Sequence, residues 1–320
     1  MIDKIDTKLL FELNWDARQT HSGLAKKLKV SKQVIRYRMQ NLEKSGIIQS
    51  YHALIDWRKL GYNVIRVYVK WHNIPPEKEQ EIYARIKKDP LFMWTVKFEG
   101  EFDIGFFVWV KSIPQFSEKW LAFLIEYKRY ILKYEIYEAI NMVHYPMKTL
   151  IEDKKYHEKI LGEEKLIKYD HIDYEILKLV TENSRIPIIN IAKKIKLTAK
   201  AAIYRLKRLE KNKIIIGYNA LIDTNKIGYT FCKIDFYLND LSRIKEMFEY
   251  AKIHKNVVYR METIGGPELE IEVMIKDNAE IKILIENIRK KFAGIIETYR
   301  IHRFDYTIKQ IYLPGEEIKK

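Results

Sequence analysis

Counted from Lys32, the residues Gln33, Arg36, Tyr37 and Gln40 follow at one, four, five and eight positions, which puts them on one side of an α-helix. Ser31, just ahead of them, is a good N-cap. Arg, Lys and Gln donate to base edges or phosphate oxygens and Tyr can stack, so a helix with this face after a tight turn suits the major groove of DNA. A second set follows Thr198: Lys200, Tyr204, Lys207 and Arg208. There Ala199 and Ile203 stand where Lys32 and Arg36 stood; they can touch a thymine methyl but make no bidentate contact to a purine. The first face is therefore expected to carry more base specificity and the second more phosphate contact.

Catalytic chemistry has no comparable support. The eight histidines, at 21, 52, 72, 144, 157, 171, 254 and 302, form no helical pair and neighbour no cysteine, so no metal site is expected. No phosphate loop or dinucleotide glycine fingerprint occurs, and no Ser or Cys stands in a nucleophile motif. The one cysteine, Cys232, excludes a disulfide framework and reads as a small buried apolar residue on a strand. No catalytic residue, cofactor or metal is expected.

The elements that must position the two faces are stated twice in the chain. Residues 3–62 and 170–229 pair without a gap at an offset of 167, with 24 of 60 positions identical, which marks duplication of a whole domain. Asp3 and Asp6 stand as N-cap and third following residue of a first helix running to about Ala17. A second, short helix covers Leu24 to Leu28, and the third follows Ser31 with Ile35, Met39 and Leu42 turned inward. Arg38 is expected either to tie this reader helix to an acidic residue such as Asp6 or to contact phosphate. Gly46 ends the helix, and Ile47 to Asp56 reads as strand, turn and strand, a wing.

These residues resemble the Lrp/AsnC, or feast/famine, transcription regulators. The resemblance is carried by Asp3-x-x-Asp6, Asp16-Ala17-Arg18, Leu24-Ala25-Lys26-Lys27-Leu28, Val30-Ser31, Arg38-Met39 and Leu42 through Ile48, then Tyr51-x-Ala53. The second copy matches with Asp170-x-x-Asp173, Asn183-Ser184-Arg185, Ile191-Ala192-Lys193-Lys194 and Arg205-Leu206. The resemblance implies a sequence-specific regulator of transcription that binds double-stranded DNA and answers to an amino-acid effector.

Beyond Gly61, Ile65, Val67, Val69 and Trp71 alternate with Arg66, Tyr68 and Lys70, marking a half-buried strand. At the same offset Cys232, Ile234, Phe236 and Leu238 alternate with Lys233, Asp235 and Tyr237. The order βαββαβ follows in both copies and predicts an α+β fold: two winged helix-turn-helix modules, each followed by a ferredoxin-like, RAM-type sandwich. The expected boundaries are residues 1–56, 57–147, a charged and partly helical linker 148–168, then 169–223 and 224–320. One face of each sheet is left bare, and the resemblance implies that two sheets pack face to face, here within one chain as an intramolecular pseudo-dimer. Trp94, Phe106, Tyr137 and Tyr259 are accordingly expected in cores or at the sheet interface.

The resemblance also implies an effector site near the turn holding Gly100 and Asp103, with Gly265 and Glu268 in the corresponding place. A glycine turn can offer N–H groups to a carboxylate, and an acidic side chain can hold an ammonium group. In the second turn Pro267 removes a donor.

Lys and Arg outnumber Asp and Glu by 58 to 43, a formal charge of +15 that favours a polyanionic partner. The start shows no signal-peptide core and no stretch approaches the ~18 apolar residues of a membrane span, so a cytoplasmic location is expected. Two other readings fit part of this pattern. An architectural, chromatin-like protein would bind DNA by charge and shape alone. Siroheme decarboxylases share the architecture, but their Gly-Val-Ile-Arg-Arg run is replaced by Gly46-Ile47-Ile48-Gln49-Ser50 and Lys213-Ile214-Ile215-Ile216-Gly217, leaving His144 and His302 as the only candidates for such chemistry. Further assembly of pseudo-dimers into a larger homo-oligomer is compatible with the resemblance.

Overall fold

The computed structural model describes residues 2–151, 157–163 and 165–315. The first copy opens with helices α1 (Lys4–Trp15), α2 (His21–Leu28) and α3 (Lys32–Lys44). Asp3 caps α1 in a reciprocal box with Asp6, Thr20 caps α2 and Ser31 caps α3, so each start satisfies an otherwise orphaned N–H. Strand β1 (Ile48–Ile55) follows, then β2 (Asn63–Trp71), α4 (Pro76–Lys88), β3 (Phe92–Glu99), β4 (Ile104–Val110), α5 (Ile113–Tyr127) and β5 (Ile131–His144). A short strand β6 (Lys159–Leu161) precedes the second copy: α6 (His171–Glu182), α7 (Ile188–Lys194), α8 (Ala199–Lys211), β7 (Ile215–Ile222), β8 (Thr230–Leu238), α9 (Ile244–Ile253), β9 (Val257–Ile264), β10 (Leu269–Ile275), α10 (Asn278–Lys291) and β11 (Ile296–Gln310).

The wing departs from the expected strand, turn and strand. β1 is one continuous strand, and its partner is β7 of the other copy, antiparallel with Tyr51 opposite Ala220 and Ala53 opposite Tyr218. No Gly, Pro or Asn interrupts residues 47–56 to reverse the chain, so the strand runs on and finds its hydrogen bonds 167 residues away. Each strand also completes the other copy's module. Ala220 and Ile222 join Leu9, Leu10, Leu13, Leu24, Ile35 and Met39 in one core, while Ala53, Leu54 and Ile55 pack with Ile176, Leu177 and Leu206.

The two sandwiches meet by more than face-to-face packing. The strands run β2-β4-β3-β11-β8-β10-β9-β5, and β5 also pairs with β2, closing a ring of eight. The last strand of each copy makes the closure. The first part of β5 pairs with β2 while Glu138–His144 pair with β9; likewise β11 pairs first with β8 and then, over Arg303–Gln310, with β3. Helices α4 and α5 cover the outer face that holds Ile65, Val67, Ile104 and Phe106, and the helices of the second copy cover Cys232, Ile234, Phe236 and Ile271. Of the four aromatics expected in cores, Phe106 lies in the outer core and Tyr137 inside the ring, while Trp94 packs on the inner core and Tyr259 on the core of the first module.

The alternating polar residues of β2 and β8 do not face solvent. Arg66 and Lys233 are buried inside the ring, as are Asp235 and Glu270. Arg66 bonds Glu270 at 2.6 Å, Lys233 lies 3.3 Å from Glu270 and holds Asp235, and His302 Nε2 is 3.2 Å from Asp235. Buried charges persist only when paired in this way. The connector also differs from the helical reading: among its described residues, Lys159–Leu161 form a strand on Met142–His144 and the structure shows no helix. Its Glu152-Asp153-Lys154-Lys155 run lies outside the described residues.

Candidate nucleic-acid interface

Helix α3 presents Lys32, Gln33, Arg36, Tyr37 and Gln40 together on its exposed side, with Ile35, Met39 and Leu42 buried behind them. Tyr37 is 66% exposed and Tyr204, its counterpart on α8, 67%, so both rings are free to stack. Ser31 and Thr198 are occupied as N-caps, accepting from the N–H groups of Val34 and Ala201. Their exposed helix starts still favour a phosphate. The side chains of Lys32, Gln33, Arg36, Gln40, Lys200 and Lys207 have no hydrogen-bond or ion-pair partner among the described residues. An unpaired polar face of this kind is available to a ligand.

Arg208 is the exception among the expected contacts. Its guanidinium pairs with the fully buried carboxylate of Asp173, which also accepts from Arg205 at 2.9 Å. The expectation of a free DNA contact is corrected here: a buried carboxylate needs this partner, and Arg208 is half-buried in supplying it. Its counterpart in the first copy is Asn41, so that copy carried no hint of the role. Arg38 takes the first of its two expected roles, bonding Asp3 and Asp6 at 2.8 Å each. These bonds hold the Asp3 carboxyl below its ordinary range, first through the Asp6 backbone N–H and then through Arg38, and raise the Arg38 guanidinium.

A reciprocal clasp sets the two modules against each other. Arg18 donates to the carbonyl of Ser184 and stacks on Tyr218, while Arg185 donates to the carbonyls of Ala17 and Gln19 and stacks on Tyr51. The backbone joins in, with Ala17 N–H to the Tyr218 carbonyl and Ser184 N–H to the Tyr51 carbonyl, 2.9 Å each. An open cleft of about 510 Å³ lies between the modules, lined by Arg18, His21, Lys32 and Arg185 among others. Burial and then the charges of Arg185, Lys32 and Arg36 hold the His21 imidazole below its ordinary value, evidence of a positive field there. Neither His21 nor the cleft was singled out by sequence reasoning, because Arg18 and Arg185 meet only across the copies.

At the two turns where an effector is expected the acidic side chains are already engaged. Asp103 accepts from Lys70 and from the Trp71 N–H, both at 2.7 Å; Glu268 accepts from the Leu238 N–H at 2.9 Å, the same duty in the second copy. Gly100 has φ +146° and faces the Ile301 carbonyl of the other copy, where a Cβ would sit 2.9 Å away. Gly265, at φ +82°, stands near the carbonyl of Ile136. Each turn thus rests on the other copy's last strand. Of the candidate histidines, His144 stacks on Tyr259 with its Nε2 unpartnered, and His302 lies inside the ring against Asp235; both are fully buried.

Two exposed reader helices locked by exchanged wings define a paired helix-turn-helix protein of the winged class. A model of the winged helix-turn-helix DNA-binding domain matches residues 2–49 and again 169–216. The HTH-type transcriptional regulator Ptr1 of Methanocaldococcus jannaschii is 30% identical over 122 residues, 38% of this chain and 80% of that protein. The HTH-type transcriptional regulator LrpA of Pyrococcus horikoshii is 32% identical over 112 residues, 35% of this chain and 78% of that protein. The chain belongs to the Lrp/AsnC family of transcriptional regulators, in a tandem-duplicated form. Over its whole length the fold is similar to the siroheme decarboxylase NirDL, TM-score 0.64, 15% identity, covering 98% of this chain and 94% of the other. At that identity the likeness is one of fold. Among the described residues no helix is long and apolar enough to cross a membrane.

Proposed function

We propose that the chain is a sequence-specific, DNA-binding transcription regulator acting in the cytoplasm as an intramolecular pseudo-dimer, without a catalytic step. The observation that carries this reading is the pair of exposed, unpartnered polar faces on α3 and α8, fixed in relation by the wing exchange and the Arg18/Arg185 clasp. The DNA-contacting set is Ser31, Lys32, Gln33, Arg36, Tyr37 and Gln40 with Thr198, Lys200, Tyr204 and Lys207. Its working units are residues 1–56, 57–147, 169–223 and 224–320, although each wing strand serves the opposite module. Control by an amino acid at the Gly100 and Gly265 turns rests on the family resemblance.

Selection of bound duplexes from a random pool, with and without amino acids, tests this. Enrichment of an imperfect palindrome, with half-sites about one helical turn or a multiple apart, is expected; recovery of no motif would favour the architectural alternative. Phosphate neutralisation through on the order of 6 contacts should make affinity fall roughly a thousandfold between 50 and 200 mM salt.

The decarboxylase reading draws on fold likeness alone. Neither His144 nor His302 lines the large cavity within the ring. A chain that leaves the absorption spectrum of an added tetrapyrrole unchanged removes that reading.

A further inference from the structure

The ring formed by the two sandwiches is unequally filled. At one end Tyr68, Phe98, Phe102 and Tyr137 pack together beside the Arg66, Lys233, Asp235 and Glu270 network. At the other end, beneath the wings, lies a cavity of about 590 Å³, the size of a site for a small organic molecule. Its walls come from both copies, with Leu54, Ile55, Ala220 and Ile222 of the wing strands on one side and Trp94, Phe107, Trp109 and Met261 of the ring on the other.

Several polar groups in this wall have no partner. The Glu272 carboxyl makes no hydrogen bond or ion pair among the described residues, although the residue is almost wholly buried. His52 Nδ1, Trp57 Nε1, Trp109 Nε1 and the Tyr312 hydroxyl are likewise buried and unmatched. Buried groups of this kind are ordinarily satisfied, and leaving them open is costly.

The charge in the wall is mostly negative. Glu272, Asp223 and Asp305 contribute carboxyl groups, against the single ammonium of Lys309, which is engaged with the carbonyl oxygens of Ile86 and Asp89. Burial, and then the neighbouring Glu270, push the Glu272 carboxyl up to about 8 against the opposing charges of Arg66 and Lys233, and a cation seated beside it would supply the counter-charge that lets it ionise. A polycarboxylate would meet repulsion instead. The Trp94 and Trp109 rings add apolar surface and faces that attract a cation, while the Phe107 ring already carries the Arg66 guanidinium 4.4 Å from its centroid.

We propose that this cavity is a binding site for a small apolar organic cation, such as an arylalkyl ammonium ion, paired with Glu272 and seated against the tryptophans. This site is separate from the Gly100 and Gly265 turns. Binding of the cation stands independently of the reading as a DNA regulator; its expected effect on DNA, through the wing strands that form one wall, rests on that reading.

Calorimetric titration of the full chain with 2-phenylethylamine, its neutral analogue 2-phenylethanol and the anion 3-phenylpropionate tests the proposal. The amine should bind at least tenfold more tightly than the alcohol and the anion more weakly than either. In Glu272→Gln the preference for amine over alcohol should vanish while alcohol binding and the thermal transition persist. Met142→Trp, which fills the cavity from another strand, should abolish binding of all three. No binding of the amine, an undiminished preference in Glu272→Gln, or tighter binding of 3-phenylpropionate or iron-uroporphyrin overturns the assignment. DNA affinity is then measured with and without the amine. Amine binding without DNA binding rejects the regulator reading alone, and DNA binding without amine binding rejects the cavity site alone.

Discussion

The two copies share their helices, the caps of their first and third helices and their wings, but differ on the surfaces proposed to meet other molecules. On α3 the sequence offers Lys32, Gln33 and Arg36; on α8 the same places hold Ala199, Lys200 and Ile203. Inside the ring, β4 of the first copy contributes Gly105, Phe107 and Trp109, whereas β10 of the second contributes Glu270, Glu272 and Met274. The contrast shows that the packing positions were held while both the outer reader faces and the inner walls diverged. The first copy is the one expected to discriminate more at DNA, and the second supplies most of the buried charge in the ring.

The sharpest way to break this comparison uses the ion pairs behind the readers. Asp173 is fully buried between Arg205 and Arg208, while the Asp6 side chain is partly exposed and serves Arg38. Asp173→Asn takes away the counter-charge of Arg208 and leaves Arg205 with Asp170 alone, and should cost about 3–5 kcal/mol of stability, against roughly 1 for Asp6→Asn. Chemical denaturation monitored by circular dichroism decides; equal costs would mean that the second module's extra arginine is ornamental.

Glu272 supplies the next effect. Its folded value is raised from 4.5 to about 8 by burial and Glu270, with Arg66 and Lys233 opposing and Asp235 adding to the rise. The folded chain then holds a proton that the unfolded chain loses, so stability is full below about pH 4.5 and falls as pH rises toward 8. Glu272→Gln should remove that contribution, making the variant more stable than the parent above pH 8 by on the order of 3 kcal/mol. Melting curves across pH test the sign.

At the reader faces, Arg36→Ala or Gln33→Ala should cost about 1–3 kcal/mol of DNA binding and relax sequence choice. Lys200→Ala or Lys207→Ala should weaken binding across sequences and lower the salt slope by about 1. Equal loss of selectivity from both modules contradicts the asymmetry. The smallest effect concerns the residue after each reader helix. Gly46 has φ +70°, and its counterpart Lys213 holds φ +55°. Lys213→Gly should relieve backbone strain and stabilise the fold slightly, by about 0.5–1 kcal/mol, read as a small rise in the thermal midpoint.

Much of the local structure was legible in the sequence because local rules decide it. The Asp3/Asp6 box, the Ser31 and Thr198 caps and the Arg38 pairing follow from residue type and helical spacing. What escaped depends on pairs distant in the chain. Ile48–Ile55 carries the pattern of a strand but nothing that names β7 as its partner, and the closing halves of β5 and β11 look no different from the rest of those strands. Arg66 and Lys233 read as outward-facing because their acidic partner, Glu270, lies on β10 of the second copy. Arg208 misled for a related reason, since only the folded module shows that Asp173 needs two arginines.

The exchanged wings and ring-closing strands also bear on how such a protein behaves among its relatives. Two-fold regulators built from separate subunits fall apart on dilution and can trade partners with paralogues present in the same cell. Here the pairings of β1 with β7, β5 with β9 and β3 with β11 are all made inside one chain. The complete reading head therefore exists at any concentration, and its halves are insulated from mixing with other members of the family.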